Sequence, residues 1–161
     1  MSEKRTKKTI TLGSGKMYIT EFTGKIPENS VIETEEKIAG YIQGGASLEY
    51  SPEFYTAEDD LGKAKKTIIT KEDVKLKSGI MTWNGKTLQQ LCATGRVTEE
   101  KGIRKVKIGG ISNNDNKNYV IHFVHEDKVD GDVRVTIVGK NTAGFTLAFA
   151  KDKETVVDAE F

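Results

Sequence analysis

Alternation of apolar and polar side chains with a period of two is the feature that most limits what this chain can fold into. It is clearest in three segments: NYVIHFVHED (118–127), DVRVTIV (132–138) and GFTLAFA (144–150). Side chains two apart in an extended chain point to the same face, so this period is typical of strands half-buried in a sheet. β-branched and aromatic residues, which suit strands, fill many of the apolar positions. We therefore predict an antiparallel meander over residues 118–161 that ends in the strand TVVDAEF (155–161).

Earlier parts of the chain carry further segments of the same kind. The strand-like segments are 16–22, 37–45, 46–59, 65–82 and 102–110. An Asp-Gly pair at 130–131 is a tight hairpin signal between two of the later strands. The predicted fold class is mainly β, a β-sandwich or split barrel of about eight antiparallel strands.

One segment breaks the period of two. In TWNGKTLQQLCATGR (82–96), Leu88 and Leu91 are three positions apart, which is the spacing of one helical face. Asparagine is a preferred N-cap, an apolar residue before the cap can pack on the first turn, and glycine often ends a helix in the left-handed conformation. We predict one short flanking helix at about 84–94. The residues expected to fix its ends are Trp83, Asn84, Leu88 and Gly95.

Length and composition favour a single domain. A chain of 161 residues with 36% hydrophobic and 30% charged residues supports one modest core. Four basic side chains stand against Glu3 in the first eight residues, so we predict a flexible basic arm at 1–10 and a single β domain at 11–161. No apolar run approaches the roughly 20 residues of a membrane span. With one cysteine, Cys92, and no secretory signal pattern, we expect folding in a reducing cytoplasm and no membrane partner.

No segment carries the pattern of a catalytic, metal or cofactor site. LGSGKMYI (12–19) has the glycines and lysine of a phosphate-binding loop, but Met17 stands where that motif needs Ser or Thr, and a strand follows in place of a helix. His122 and His125 point to opposite faces of one predicted strand and cannot chelate one metal. The acidic run at 58–60 lacks the spacing of a calcium loop. We therefore predict no enzyme, no cofactor and no catalytic or metal-binding residue.

The segment SPEFYTAEDDLGKAKKT (51–67) is predicted to be a long loop between strands. Long loops inside compact domains tend to be functional, and aromatic residues in such a loop indicate a partner surface. A β-hairpin arm that packs on its own domain is the alternative. Two glycines before the first strand are interpreted as the hinge where the arm leaves the body. The predicted inter-subunit or stacking residues are Gly13, Gly15, Phe54, Tyr55, Glu58, Asp59, Asp60, Leu61, Lys65 and Lys66.

Three segments taken in order resemble the tail tube proteins (major tail proteins) of long-tailed phages and prophages of Gram-positive bacteria. They are LGSGKMYI, KIAGYIQGGASLEYSPEFYTAEDD and TIITKEDVKLKSGIMTWNGKTLQQL. The resemblance lies in the order of a Gly-Gly strand pair, a long charged loop, a Lys-rich strand and TWN opening the helix. It implies a structural protein without catalytic activity, of which six copies form a ring. The rings stack into the hollow tube of the virion tail, through which the genome passes into the host.

The same resemblance implies the partners. The subunit binds further copies of itself, the tape measure protein and the tail terminator or distal tail proteins, and DNA passes through the lumen without sequence-specific binding. The net charge of the chain is +1, and its first eight residues carry +3, which leaves −2 for the rest of the chain. A negative remainder suits a lumen that does not retain phosphates. Glu49 is one candidate lumen residue. The alternatives are an inner tube subunit of a contractile tail-like particle and, from a different class, a β-sandwich binding module or adhesin.

Overall fold

Eight antiparallel strands make up most of the regular structure in residues 8–161, the part of the chain that the computed structural model describes. They are β1 (Lys16–Glu21), β2 (Ile38–Glu58), β3 (Lys65–Ile80), β4 (Arg96–Glu100), β5 (Ile103–Lys107), β6 (Tyr119–His125), β7 (Val133–Gly139) and β8 (Val157–Glu160). Six of them form one sheet in the order β7-β6-β1-β2-β3-β8, and β4 pairs with β5 in a separate hairpin. The predicted mainly β class is confirmed, as open sheets that do not close into a barrel.

Helical structure in the described residues is confined to short segments. They are α1 (Asn29–Ile32), α2 (Gly85–Leu91) and two 3-10 turns at Glu35–Lys37 and Ile111–Asn113. Within residues 8–161 no helix is long and apolar enough to cross a membrane. The predicted basic arm at 1–10 falls largely on residues 1–7, which lie outside the described residues.

The main core lies on one face of the six-stranded sheet. Side chains alternate along β1, so Met17 and Ile19 point to this face and Tyr18 points to the other. The helix α2 and the segment 140–156 cover the main core. The side chains that they contribute are Leu88, Leu91, Phe145 and Leu147. A smaller core on the opposite face lies beneath the segment 22–38, and its buried members are Tyr18, Ile32, Val120 and Val124.

The start of helix α2 agrees with the sequence prediction. The side chain of Asn84 accepts hydrogen bonds from the backbone N–H groups of Lys86 and Thr87 at 2.9 and 3.1 Å. Thr87 completes a capping box, because its hydroxyl accepts from the Asn84 N–H and donates to the carbonyl of Ala39. Trp83 packs against the core that contains the buried Leu88. The cap therefore stabilises the first turn of the helix, and the hydrogen bond from Thr87 to Ala39 holds that turn against strand β2.

The end of helix α2 differs from the prediction. The helix stops at Leu91 and not near residue 94, and Gly95 is not in the left-handed conformation. Gly95 is needed for a different reason: a Cβ there would lie 3.2 Å from both the Cys92 carbonyl oxygen and the Gln89 Cα. The chain folds back tightly beneath the helix, and a side chain at this position would have to push it away.

The predicted meander over 118–161 is only half correct. The strands β6 and β7 pair along their whole lengths, as the alternation predicts. The segment 144–150, however, forms no strand, and Phe145 and Leu147 pack on the main core from a loop. The last strand pairs with β3 instead, through Lys77–Ile80. Its alternate residues Val157, Ala159 and Phe161 are all buried, as predicted for TVVDAEF.

The predicted loop at 51–67 is mostly strand. Residues 51–58 continue β2, residues 65–67 begin β3, and only 59–64 form a turn. The sequence segments 37–45 and 46–59 are one strand with a β-bulge between Gln43 and Ala46, where Gly44 and Gly45 both have φ of +78°. The hairpin arm is therefore real, but it does not pack on its own domain, because most of its side chains are exposed.

The two glycines read as a hinge have separate roles. Gly13 has φ of +106°, a conformation that glycine adopts at little cost. Gly15 has no such dihedral; a Cβ at this position would lie 2.0 Å from the carbonyl oxygen of Val124. Just before it, the Ser14 carbonyl accepts a hydrogen bond of 2.7 Å from His125 Nδ1–H. Gly15 is thus locked against β6, and the hinge interpretation is wrong for this residue.

Candidate assembly surface

The two longest strands extend beyond the rest of the sheet as a free ribbon. We define the ribbon as residues 47–58 of β2 and 65–76 of β3 with the turn 59–64 between them. On one side, β1 pairs with β2 only between Ile38 and Tyr41. On the other, β8 pairs with β3 only over Lys77–Ile80, with one further backbone pair from Phe161 to Leu76. Beyond this base, each strand of the ribbon forms its backbone ladder, among the described residues, only with the other strand of the ribbon.

A tight turn closes the far end of the ribbon. The Asp59 carboxylate accepts a hydrogen bond of 2.7 Å from the Ala64 N–H, and the Asp59 N–H donates to the Ala64 carbonyl. The Ala64 N–H is also the main cause that lowers the pKa of Asp59. Gly62 takes φ of +66° to close the loop. The predicted stacking residues Asp60 and Leu61 lie in this turn, and Leu61 is 76% exposed.

One face of the ribbon is mostly apolar and uncovered; the acidic side chain of Glu72 on this face accepts a hydrogen bond of 2.9 Å from the Tyr50 hydroxyl. The register sets Leu48 opposite Leu76, Tyr50 opposite Val74 and Phe54 opposite Ile69, and alternation places all six on the same face. Leu76 is buried at the base, where this face continues the main core. Further out, Leu48, Tyr50 and Phe54 are 54, 55 and 60% exposed. The apolar face of the core therefore runs out of the body into solvent.

The opposite face of the ribbon carries paired charges. Lys77, at the base, contacts Glu49 at 3.0 Å and Glu160 of β8 at 3.4 Å. Lys75 contacts Glu160 at 3.0 Å. The hydrogen bond that Lys75 donates to Glu160 is the main cause that lowers the pKa of Glu160. The hydrogen bond that Lys77 donates to Glu49 is the main cause that raises the pKa of Lys77. The candidate lumen residue Glu49 thus belongs to an ion-paired surface and is not part of an acidic patch.

One short stretch of the outer ribbon is apolar on both faces, and a β-bulge produces this arrangement. The register shifts after Glu53 and Lys71, so that Thr70 has no partner and its hydroxyl donates to the Glu53 carbonyl at 3.2 Å. This shift aligns two cross-strand apolar pairs on opposite faces of the ribbon. We call these four residues the distal band; they are Phe54, Tyr55, Ile68 and Ile69, each 48 to 60% exposed.

A cleft lies at the base of the ribbon, beside the Gly44–Gly45 bulge. Its volume is about 470 Å³, and we call it the base cleft. Most of the residues that line it are small; they include Gly44, Gly45, Ala46, Ser78, Gly79 and Ala143. Lys77, Asp158 and Glu160 supply its charged lining. A Cβ added at either bulge glycine would meet no heavy atom within 4 Å, so the space beside them is open.

A buried polar network fastens the body on the other side of the sheet. His122 is 1% exposed and lies 2.6 Å from Thr136 Oγ1 through Nδ1 and 2.8 Å from Glu33 Oε1 through Nε2. Arg134 Nε donates to the same Glu33 oxygen at 2.7 Å and its Nη1 contacts Asp132. The Arg134 hydrogen bond is the main cause that lowers the pKa of Glu33. The network ties the segment after α1 to strands β6 and β7.

The structure brings most of the predicted inter-subunit residues together at one place. Phe54, Tyr55, Glu58, Lys65 and Lys66 lie on the outer half of the ribbon, next to the turn that holds the other three. Gly13 and Gly15 lie elsewhere, against β6. The sequence prediction missed three apolar residues nearer the base, Leu48, Tyr50 and Val74, and two in the distal band, Ile68 and Ile69. Their alternation in ASLEYSPEF and in TIITKEDVKL was the available signal.

The described residues hold no group of three or more His, Cys, Asp or Glu side chains that could bind a metal ion. His125 Nε2 is buried without a hydrogen-bond partner in the described part of the chain, but the other ring nitrogen is held by Ser14. The ribbon is therefore the candidate functional surface among the described residues. Comparisons of the chain with protein-family models, curated proteins and solved structures gave no match.

Proposed function

We propose that this chain is a structural subunit that self-assembles, as a phage tail tube protein does, into rings stacked as a hollow tube. The observation that carries the proposal is the ribbon: a two-stranded element with an apolar face that nothing in its own described chain covers. An isolated two-stranded hairpin is marginal in water, and exposed apolar patches mark interaction sites. A partner that covers this face stabilises both the ribbon and the complex.

Further copies of the chain are the partner that fits best. The free edges of the ribbon are one β2 edge and one β3 edge, so side-by-side copies can continue the antiparallel alternation from one ribbon to the next. Such a head-to-tail contact closes into a ring when the rotation between copies permits it. With the apolar face covered, the ion-paired face carrying Glu49 and Lys77 would face the lumen. The charges of Glu49 and Glu160 cancel those of Lys75 and Lys77, so this cluster offers DNA phosphates no net positive charge.

The resemblance of the sequence to tail tube proteins supports the same function and names the wider setting. In that setting the subunit is made in the host cytoplasm and resides in the virion tail. Its other partners are the tape measure protein and the tail terminator or distal tail proteins. The inner tube of a contractile tail-like particle uses the same kind of subunit and stays the nearest alternative.

The test is the assembly state of the purified protein as a function of concentration. We expect rings or tubes by negative-stain electron microscopy and masses above that of one chain by light scattering. The double substitution Tyr50→Ser and Phe54→Ser should abolish assembly while the monomer keeps its far-ultraviolet circular dichroism. The matched control is Ile103→Ser with Ile108→Ser, which removes two equally exposed apolar side chains away from the ribbon.

Two results would count against the proposal. One is a wild-type protein that stays monomeric at the highest concentration reached, even with seeds of preformed tubes. The other is equal loss of assembly in the ribbon and control variants, since that would reflect general surface hydrophobicity. A monomer that instead binds glycans or a host surface protein through Phe54 and Tyr55 would favour the binding module.

A further inference from the structure

The two ends of the ribbon have matching chemistry. We propose that the distal band of one copy docks in the base cleft of a second copy. This inference rests on the proposed self-assembly and adds to it the specific contact by which one copy recognises the next.

The distal band needs cover that a flat ring contact does not supply. Nearer the base the ribbon has one apolar and one charged face, so a neighbour on one side is enough. At the band, Phe54 and Ile69 form one face while Tyr55 and Ile68 form the other. A neighbour that covers one face leaves two large apolar side chains in water. The band is therefore built to be inserted into a recess.

The base cleft is the recess on the described surface that suits an inserted aromatic side chain. Its lining of glycine, alanine and serine leaves room for the ring of a guest to approach the backbone. Ser78 and Ala159 at its floor are buried, which gives it a fixed base. Three other recesses in the described part of the chain have volumes of about 260, 340 and 350 Å³.

Charge supports the same pairing. Lys66 lies at the distal band opposite Ala57, and it makes no ion pair with any described residue. Asp158 lines the base cleft, and it too makes no ion pair in residues 8–161. The neighbouring Glu160 is already held by Lys75 and Lys77. Docking would pair one free positive charge with one free negative charge, which favours correct register between copies.

A copy cannot fill its own cleft. Ala46 and Tyr55 are nine residues apart on one strand, which at about 3.3 Å per residue sets the cleft and the band roughly 30 Å apart. Each copy therefore offers its band and its cleft to other copies. When the band and the cleft bind two different neighbours, as in the stacked assembly we propose, the contact is heterologous and propagates along the assembly.

Engineered disulfides test the contact directly. In a Cys92→Ser background, the pair Tyr55→Cys and Ala143→Cys should give a ladder of covalent oligomers on non-reducing gels after mild oxidation of the assembled protein. The matched control pair, Tyr55→Cys and Thr98→Cys, places the second cysteine on exposed β4 and should stay monomeric on the gel. Rings or tubes that form normally but give no ladder would overturn the inference while leaving the proposed function intact.

A charge exchange gives a second, independent readout. Lys66→Glu and Asp158→Lys alone should each raise the concentration needed for assembly at least about tenfold, and the double variant should recover most of that loss. Ala143→Trp, which fills the cleft, should block assembly, while Ala148→Trp on the same exposed segment should not. No recovery in the double variant, together with normal assembly of Ala143→Trp, would rule the contact out. Absence of wild-type assembly would instead defeat the proposed function itself.

Discussion

Gly13 and Gly15 lie two residues apart, but different physical constraints require glycine at each position. Gly13 occupies a positive φ, and only His125 comes near a Cβ built there, at 3.4 Å. Gly15 has an ordinary φ but no room, because the backbone of β6 lies directly against it. Glycine spacing in a sequence cannot distinguish conformational need from steric need, since both depend on where other strands pass.

Gly15→Ala should destabilise the protein by roughly 1–3 kcal/mol, because the added methyl must displace the Val124 carbonyl or the start of β1. Urea unfolding followed by circular dichroism measures this. Gly139→Ala is the control: a Cβ there meets nothing within 4 Å and the φ is not positive, so a change below about 0.5 kcal/mol is expected. Equal effects at the two sites would show that Gly15 is not sterically constrained.

Glu33 should make stability depend on acid pH. Its folded pKa is below the usual 4.5, first because Arg134 donates a hydrogen bond to its carboxylate. A lowered folded pKa means that the stabilisation is complete above the unfolded value and is lost as pH falls through the folded value. Glu33→Gln should therefore reduce the urea midpoint near neutral pH, and this reduction should shrink as pH falls through the lowered folded pKa of Glu33.

Glu36→Gln is the matched control for Glu33→Gln. Glu36 is exposed on the same segment, so its variant should follow the wild-type pH profile. A Glu33→Gln deficit of constant size across the acid range would mean that the carboxylate contributes by shape and not by charge.

Among the elements, strands β6 and β7 could be predicted from alternation, and the start of α2 from the Asn84 cap. The segment 144–150 alternates equally well but is a loop. Alternation predicts that one face of a segment is buried, but it does not show whether a strand edge is available for that segment to pair with. The edge of β3 is taken by β8 instead. The sequence predicts a loop at 51–67 because Phe54 and Tyr55 are adjacent, so apolar and polar residues do not alternate at this point. The bulge at Thr70 lies in the other strand and sets Ile69 and Ile68 opposite these two residues.

Hydrogen exchange should separate the ribbon from the rest of the sheet. In dissociated protein, amides of residues 49–57 and 66–74 should exchange far faster than those of β1 and β6, because the ribbon has few packed side chains and open edges. On assembly the same amides should gain at least about tenfold protection. Mass spectrometry of peptic peptides provides the measurement. A ribbon that is already protected in the monomer would show that it needs no partner.

At the scale of the whole molecule, folding and assembly should be linked. The body has a buried core, but its apolar face continues into the ribbon without cover; in the assembly we propose, part of the favourable burial is completed between copies. Copies that bind only the folded state raise its apparent stability by mass action. The melting temperature of this chain should thus rise with protein concentration.

Above the assembly threshold, a tenfold increase in concentration should raise the melting temperature by roughly 3–6 °C. Differential scanning fluorimetry across a dilution series measures it. The Tyr50→Ser, Phe54→Ser variant provides the control and should melt at one temperature throughout. A wild-type melting temperature that is independent of concentration would show that contacts between copies do not stabilise this fold.

The free strand pair also sets how the length of the ribbon can change without loss of the fold. Two residues added to each strand would lengthen it by about 6–7 Å and return every side chain beyond the insertion to its original face. One residue added to each would turn the apolar and charged faces over beyond that point. The ribbon can therefore change length with its faces preserved only in steps of two residues per strand. An extra residue in one strand alone, such as Thr70, instead changes which side chains of that strand lie opposite those of its partner.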